Sequence, residues 1–139
     1  MSEPSPTADW RADPAWPDVD VVMPILNEAA HLEAALAAVR EQAYPGRLRV
    51  VMAIGPSTDG TEAVAADLAA LDPDLVVVDN PTGKTPAALN FAIRAGAAPV
   101  VVRVDGHSQL SRGYIEQAVT TLRRTGAANV GGMQVPVGT

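Results

Sequence analysis

Apolar and polar positions follow a repeating pattern from Val19 to the end of the chain. Short apolar runs of strand length alternate with segments in which apolar residues recur every three or four positions, which is the period of an amphipathic helix. The predicted strands cover residues 19–25, 48–54, 75–79, 99–104 and 128–135. The predicted helices carry the stripes Leu32-Leu36-Val39, Val64-Leu68-Leu71, Leu89-Ile93 and Ile115-Val119-Leu122. The pattern predicts an α/β domain, a Rossmann-like sheet of mostly parallel strands with helices on both faces.

Polar, proline and glycine residues suggest where several helices begin and end. Asp59 and Glu62 have the spacing of a capping box, and Thr85-Pro86 reads as an N-cap followed by the first helical residue. Gly96 and Gly126 stand where a glycine commonly ends a helix.

The first 18 residues differ from the rest, because they contain four prolines among scattered acids. We predict a disordered or loosely attached tail over residues 1–18 and one domain over residues 19–139. Trp10 and Trp16 are unusual in such a tail. We expect them to dock on the domain surface or to have no role, with partner binding as the alternative.

Composition excludes several classes of function. The chain has 139 residues, no cysteine and a formal net charge of −6. Disulfides, cysteine zinc sites and thiol catalysis are therefore excluded, and an acidic protein gains little from binding nucleic acid. The sequence has no apolar stretch long enough to span a membrane, and its acidic N-terminus does not fit a signal peptide.

Ligands of open parallel sheets bind beyond the carboxyl ends of the strands. In this chain those positions fall at residues 24–28, 55–59, 79–84 and 105–107. Residues 55–61 space two glycines as a P-loop does, but the lysine is missing and Asp59 would repel phosphate. No G-x-G-x-x-G follows the first strand, which argues against a dinucleotide site. A tight turn before a capped helix explains 55–61 equally well as a ligand contact.

The other strand ends also have two interpretations each. Asn27 and Glu28 fit either a helix N-terminus or a contact with a base or ribose. Lys84, before a helix N-terminus, fits either an anion site or a solvated loop. Asp105-Gly106-His107 fits either a turn or a metal site, since a carboxylate and an imidazole two residues apart suit Mn²⁺ or Mg²⁺.

Four stretches stand in order along the chain: "VVMPILNEAAHLEAAL", "GPSTDGT", "NPTGKTPAALN" and "VVRVDGHSQLSRGYIEQAV". Together they resemble the nucleotide-sugar-binding half of a family 2 glycosyltransferase with the GT-A fold. The closing "RTGAANVGGMQVPVGT" resembles the succinoglycan-type exopolysaccharide branch. The resemblance covers residues 19–139. It implies an inverting, metal-dependent transfer from a nucleotide sugar, with a UDP-sugar as the first expectation.

The resemblance also assigns site residues. Asp105 and His107 match the D-x-D-type motif that holds Mn²⁺ or Mg²⁺, although His107 replaces the usual second acid. The family pattern "DDGSTDGT" reads Ile54 to Thr61 here, so the acid that contacts the base is missing. Lys84 or Arg103 would stabilise the leaving diphosphate. The substrate-binding residues that the resemblance implies are Pro24, Asn27, Glu28, Gly55, Ser57, Asp59, Lys84, Asn90, Arg103 and Asp105.

The acid that activates the acceptor lies downstream of the D-x-D motif in this family, in the acceptor-binding half. We therefore expect the chain to bind donor and to lack the catalytic base, with a glycan or lipid-linked acceptor bound elsewhere. The alternative is a non-catalytic nucleotide-sugar-binding fragment that needs a partner chain. The sequence argues against a nucleotidyltransferase. Such an enzyme would need a glycine-rich, arginine-bearing loop at residues 24–28, and these residues contain neither glycine nor arginine. We further expect a cytoplasmic location, at or near the inner membrane face, and self-association or a partner at the C-terminal edge.

Overall fold

The computed structural model describes residues 10–105 and 110–126. Strands and helices alternate strictly over these residues, as the periodicity predicts. The elements are β1 (Val19–Ile25), α1 (Leu32–Arg40), β2 (Leu48–Ile54), α2 (Thr61–Leu71), β3 (Leu75–Asp79), α3 (Thr85–Ala95), β4 (Val100–Arg103) and α4 (Tyr114–Thr125).

The four strands form one parallel sheet in the order β3-β2-β1-β4. β1 and β2 run in register from Val19 opposite Leu48 to Ile25 opposite Ile54. β4 is shorter and ends with Arg103 opposite Val22. The connection from β1 proceeds towards β3, whereas β4 lies on the other side of β1. The strand order therefore reverses between β1 and β4, and a crevice at the carboxyl ends of these two strands is the expected ligand position.

Helices cover both faces of the sheet, as predicted. α1, α2 and α4 pack on one face, where Leu32, Val39 and Ile115 are buried with Met23 and Met52. α3 packs on the other face through two small residues. These are Ala88 and Ala92, which bury against Val22, Val51 and Ala53. Because these contacts involve alanines, α3 approaches the sheet closely. Ile93, which belongs to the predicted stripe of α3, is consequently half-exposed. Leu71, which belongs to the predicted stripe of α2, is 85% exposed.

Three predicted strands match the structure residue for residue, and β4 is one residue shorter at each end than predicted. Helix starts match less well. Lys84, not Thr85, is the N-cap of α3, and Gly60 precedes α2 where a capping box at Asp59 is expected. Gly126 ends α4 in the left-handed conformation, as predicted, whereas Gly96 ends α3 in an extended one. The strand predicted at 128–135 lies outside the described residues.

Residues 10–18 form a segment, here called the N-terminal strap, that packs against α4 and the loop after α1. The Arg123 guanidinium lies 5.7 Å from the ring of Trp10 and 5.4 Å from that of Trp16. Arg123 also donates to the carbonyl of Ala15 at 2.9 Å. The Tyr44 hydroxyl donates to the carbonyl of Pro17 at 2.6 Å. Docking of both tryptophans on the domain agrees with the sequence expectation. The domain boundary at residue 18 stays a prediction.

A buried charge joins β1, β2 and the loop before β4 at the amino ends of the strands. Asp20 is 3% exposed, and its Oδ1 accepts a hydrogen bond of 3.0 Å from Nε of Arg49. Its Oδ2 accepts the backbone N–H groups of Ala97 and Ala98, each at 3.0 Å. Burial alone raises the pKa of Asp20, but the hydrogen bonds from Arg49 and the two amides, with the Arg49 charge, bring it below its ordinary value. A Cβ at Gly96 would lie 2.0 Å from Oδ2, so only glycine fits there.

In the part of the chain that the structure describes, no helix has both the length and the apolar character needed to cross a membrane. A position at the inner membrane face stays a prediction.

Candidate functional site

The loops that follow the strands meet at the carboxyl edge of the sheet, where the sequence placed its candidate residues. Residues 26–31 follow β1, 55–60 follow β2, 80–84 follow β3, and 104–105 extend β4. Asn90 differs from the other candidates, because it lies in the second turn of α3, about 7.5 Å along the helix from Thr85. His107 lies outside the described residues.

The first two loops are joined by a group of hydrogen bonds that we call the polar latch. The backbone N–H of Asn27 donates to Oγ of Ser57 at 3.0 Å, and that of Thr58 donates to Oδ1 of Asn27 at 2.8 Å. Asn27 has a φ of 51°, in the left-handed region that asparagine tolerates better than most residues. The residues of the latch are Asn27, Glu28, Ala29, Ser57, Thr58, Asp59 and Thr61.

Thr61 and Asp59 form the centre of the latch. Thr61 is fully buried. Its hydroxyl oxygen accepts a hydrogen bond of 3.0 Å from the N–H of Glu28, and its hydroxyl group donates one to Oδ1 of Asp59. Oδ2 of Asp59 accepts the N–H of Ala29 at 3.1 Å. The pKa of Asp59 is lowered chiefly by the Thr61 hydroxyl hydrogen bond, with further lowering from the amides of Ala29 and Thr61. Asp59 therefore joins the loop after β1 to the loop after β2, independently of any contact with a ligand.

Apolar and glycine residues separate the latch from the third loop. Leu26 is 45% exposed at the end of β1. A Cβ at the buried Gly55 would lie 3.0 Å from Cδ1 of Leu26 and 3.2 Å from Cα of Gly83. Gly83 has a φ of 67°, and a Cβ there would lie 3.4 Å from Cδ of Pro56. The three loops thus approach one another through Leu26, Pro56 and the two glycines.

The third loop is shaped by Asn80, a residue that is only 2% exposed. Its N–H donates to the carbonyl of Ile54 at 2.9 Å, which ties the loop to the end of β2. Its Nδ2 donates to the carbonyl of Lys84 at 3.1 Å, and its Oδ1 accepts the Thr82 hydroxyl at 2.8 Å. These bonds leave the exposed Lys84 at the N-terminus of α3, facing solvent at the carboxyl edge.

At the end of β4, Arg103 and Asp105 form an ion pair. Nε of Arg103 lies 3.2 Å from Oδ1 of Asp105, and the two side chains are 52% and 41% exposed. The described residues contain no group of three or more His, Cys, Asp or Glu side chains that could hold a metal by themselves. The carboxylate of Asp105 is a hard oxygen ligand that suits Mg²⁺ or Mn²⁺, provided that substrate oxygens and water complete the shell.

A groove of about 330 Å³ lies away from these loops, along the edge of β4 that pairs with no other described strand. Val101, Ile93 and Tyr114 are among its lining residues. It runs beside the strand rather than over its carboxyl end, so we place the candidate site at the loops and not in the groove.

The model of a family described as glycosyl transferase family 2 matches residues 20–138 of the chain. The chain belongs to glycosyltransferase family 2.

Curated relatives in the family agree with this result. The chain is 38% identical over 112 residues to the succinoglycan biosynthesis protein ExoA of Rhizobium meliloti, covering 79% of this chain and 34% of ExoA. It is 29% identical over 118 residues to the glycosyltransferase AglE of Haloferax volcanii, covering 84% of this chain and 39% of AglE. The family 2 chain therefore spans little more than a third of the length of these relatives.

Solved structures show the GT-A fold. The mannosyltransferase PcManGT of Pyrobaculum calidifontis, in complex with GDP-Man and Mn²⁺, superimposes with a TM-score of 0.68 at 30% identity, covering 93% of this chain and 36% of PcManGT. TarS of S. aureus, in complex with UDP, gives a TM-score of 0.69 at 19% identity, covering 86% of this chain and 38% of TarS.

Within this family 2 chain, sequence reasoning did not anticipate Thr61, Asn80 or Leu26 as site-forming residues. Thr61 and Asn80 are buried polar residues whose partners come from other loops. An Asn-Pro dipeptide after an apolar run is a local turn signal that could have pointed to Asn80. Leu26 has no such signal, because an apolar residue at the end of an apolar strand is expected to be buried.

Proposed function

We propose that this chain is the donor-binding part of an inverting family 2 glycosyltransferase that uses a nucleoside diphosphate sugar and a divalent cation. The supporting observation is that the polar loops after β1, β2 and β3 and the Arg103–Asp105 pair after β4 all lie at the carboxyl edge of one parallel sheet, whose strand order reverses between β1 and β4. Ligands of such sheets bind at this point.

Two cationic side chains at the carboxyl edge of the sheet suit a diphosphate. Arg103 is half-exposed there, and Lys84 stands exposed at the N-terminus of α3. Asp105, with His107 two residues further on, would hold Mn²⁺ or Mg²⁺ together with diphosphate oxygens. Such a cation, when bound, neutralises the charge that develops on the leaving diphosphate.

In the proposed reaction, an acceptor hydroxyl oxygen attacks the anomeric carbon of the sugar from the face opposite the diphosphate. The bond from that carbon to the acceptor oxygen forms while its bond to the diphosphate oxygen breaks, so the configuration inverts. A carboxylate base takes the hydroxyl proton. Arg103 and Lys84 stabilise the departing nucleoside diphosphate through charge-assisted hydrogen bonds.

Donor binding is proposed for this chain, and transfer to a glycan or lipid-linked acceptor for the whole protein. The chain spans about a third of ExoA and of PcManGT, which supports this division. A fragment that binds nucleotide sugar and depends on a partner chain for the catalytic base is the second candidate. A UDP-sugar is the first donor to test and a GDP-sugar the second, since similar folds hold UDP in TarS and GDP-Man in PcManGT.

The test is calorimetric titration of the chain with UDP, GDP and their sugars, with and without Mn²⁺. We expect cation-dependent binding that is lost in Asp105→Asn and retained in Asp67→Asn, an exposed acid on α2 that serves as a matched control. If neither nucleotide binds the wild-type chain under any condition, the proposed function is wrong. If binding is unchanged in Asp105→Asn, the role of Asp105 is wrong.

A further inference from the structure

The loop after α1 carries a buried glutamine whose side chain reaches a distant part of the chain. Gln42 is only 4% exposed. Its Nε2 donates a hydrogen bond of 3.0 Å to the carbonyl of Ser111, and its Oε1 accepts one of 3.1 Å from the N–H of Ile115. The carboxamide therefore uses both its donor and its acceptor on one short stretch of backbone. We call these two hydrogen bonds the Gln42 bridge.

The Gln42 bridge takes the place of a helix cap. α4 begins after Gly113, which has a φ of 73° and no side chain to accept the free N–H groups of the first helical turn. Oε1 of Gln42 accepts one of these groups, the N–H of Ile115. Nε2 of Gln42 holds the Ser111 carbonyl, which also accepts the N–H of Tyr114 at 3.2 Å. Gln42 therefore fixes the point at which α4 begins.

The turn that carries Gln42 has a strained backbone. Ala43 has a φ of 55°, in the left-handed region that alanine seldom adopts. The residues on both sides of it are buried and hydrogen-bonded, Gln42 to the backbone before α4 and Tyr44 to the carbonyl of Pro17 at 2.6 Å. Such strain persists where the surrounding contacts over-determine the conformation, and it is concentrated at functional sites. The position of Gln42 is therefore set by the fold before any ligand binds.

The Gln42 bridge lies downstream of Asp105 along the chain. Upstream of Asp105, the N–H of Val104 donates to the carbonyl of Val22 at 3.0 Å, which fixes the chain to the sheet. Ser111 comes six residues after Asp105 and is the next backbone group that a side chain of another element holds. Asp105 thus stands between two anchored points of the described chain. A carboxylate that binds a cation depends on such support from the residues that position it.

We propose that Gln42 is a positioning residue for cation binding, because its two hydrogen bonds hold the chain downstream of Asp105 and so keep that carboxylate in place for a divalent cation. This inference rests on the proposed function, in which Asp105 binds the cation together with diphosphate oxygens. Gln42 itself is buried and contacts neither the cation nor the nucleotide. Its replacement should therefore weaken cation binding without removing a ligand of the cation.

The first experiment measures the affinity for Mn²⁺ by calorimetry at a fixed concentration of UDP or GDP, whichever binds the wild-type chain. Gln42→Met keeps the length of the side chain and removes both hydrogen bonds. Gln117→Met makes the same change at an exposed position of α4 and is the matched control. We expect Gln42→Met to weaken Mn²⁺ binding by about tenfold, a usual size for coupling between linked sites, and Gln117→Met to stay within about twofold of the wild type.

Asp20→Asn separates positioning from stability. It breaks the buried ion pair with Arg49 at the amino ends of the strands, far from Asp105, and so destabilises the fold. Urea unfolding measures the loss of stability in each variant. If Gln42 only supported the fold, Gln42→Met would resemble Asp20→Asn, and the folded protein would keep its Mn²⁺ affinity in both. We expect only Gln42→Met to lose affinity.

A second measurement uses the wild-type chain alone. Coupling between two sites is reciprocal, so a cation that binds better when the Gln42 bridge is formed must also stabilise that bridge. We expect hydrogen exchange of the Ile115 amide, followed by NMR, to slow by about tenfold when Mg²⁺ and the nucleotide bind. The amide of Val119, in the middle of α4, should slow less.

Unchanged Mn²⁺ affinity in Gln42→Met, or an equal loss in Gln117→Met or Asp20→Asn, would overturn the inference. Unchanged exchange at Ile115 in the wild type would overturn it even if Gln42→Met did not fold. In each of these cases the wild type still binds nucleotide and cation, so the proposed function stands. If the wild type binds neither nucleotide, the proposed function fails and the inference with it.

Discussion

Oδ1 of Asp20 lies 3.0 Å from Nε of Arg49, and the other carboxylate oxygen of Asp20 accepts two backbone N–H groups from the loop before β4. One buried acid thus connects β1 to β2 and to the loop that leads into β4. Because its pKa is lowered in the folded state, its contribution to stability is present above the pKa of the unfolded chain. That contribution is lost as the pH falls through the lower, folded pKa.

Asp20→Asn tests this connection. At pH 7 we expect a loss of about 2–4 kcal/mol in the free energy of unfolding, because the charge of Arg49 loses its buried partner. The difference from wild type should shrink as the pH falls below about 4, the ordinary pKa of an aspartate, because the unfolded chain then binds a proton that the folded carboxylate, with its lowered pKa, does not yet bind. Urea unfolding at several pH values measures both effects. Asp74→Asn, which breaks the more exposed pair with Arg47, should cost less than about 1 kcal/mol.

The polar latch depends on the Thr61 hydroxyl. In Thr61→Val, the N–H of Glu28 loses its Thr61 acceptor, and Asp59 loses the hydroxyl, one of its three donors. We expect stability to fall by about 1–2 kcal/mol and amide hydrogen exchange at Glu28 and Ala29 to accelerate. Thr61→Ser should restore slow exchange. Thr120→Val removes a hydroxyl on the exposed side of α4 and should change neither observable. Slow exchange in Thr61→Val would contradict the latch.

The N-terminal strap has its own spectroscopic signal, because Trp10 and Trp16 are the two tryptophans of the whole sequence. Arg123→Ala removes the guanidinium that lies near both rings and the hydrogen bond to Ala15. We expect a red shift of tryptophan emission, easier quenching by iodide and a loss of about 1–2 kcal/mol in stability. Arg124→Ala changes the exposed neighbour and should leave the emission unchanged. An unshifted spectrum in Arg123→Ala would mean that other contacts hold the strap.

Arg103→Gln separates ligand binding from stability. An ion pair between two half-exposed side chains contributes little, so the free energy of unfolding should change by less than about 1 kcal/mol. The affinity for UDP with Mn²⁺ should fall by about tenfold or more, because a charged hydrogen bond to phosphate is lost. Arg94→Gln, on an exposed position of α3, is the control. Tighter binding in Arg103→Gln would instead indicate that Arg103 competes with the cation for Asp105.

The strands could be predicted closely because each is a short apolar run, which can be recognised from its own residues without knowledge of the rest of the chain. The latch could not be predicted in the same way. Asn27 meets Ser57 only because Ile25 and Ile54 lie side by side in the parallel sheet, and no local pattern encodes that register. The sequence marks Asp59 as an acid near a helix start, and it lies two residues before α2. Its bonds run across to Ala29, however, and not only into the helix that follows.

The buried face of α3 was the clearest misjudgement of a helix. Leu89 and Ile93 suggested the buried face by size. Leu89 does pack against the sheet, but the buried residues of α3 are Ala88 and Ala92, and Ile93 is half-exposed. A helix whose backbone approaches a sheet closely needs small residues at the contact. A search for a stripe of large apolar residues therefore does not find that contact face. Among the site residues, Asp105 and Arg103 fall at the predicted edge, whereas the metal role of His107 stays a prediction.

The position of β1 has a consequence for biosynthesis. Of the four described strands, β1 is made first, yet it lies between β2 and β4 in the sheet. On the ribosome, β2 and β3 emerge soon enough to pair on one side, but the other side of β1 waits until three helices and two more strands have been made. During that interval the nascent chain presents a long apolar strand with an unpaired edge, the kind of surface that aggregates or recruits chaperones. The rate at which the ribosome completes residues 80–103 therefore sets how long the newborn chain stays vulnerable.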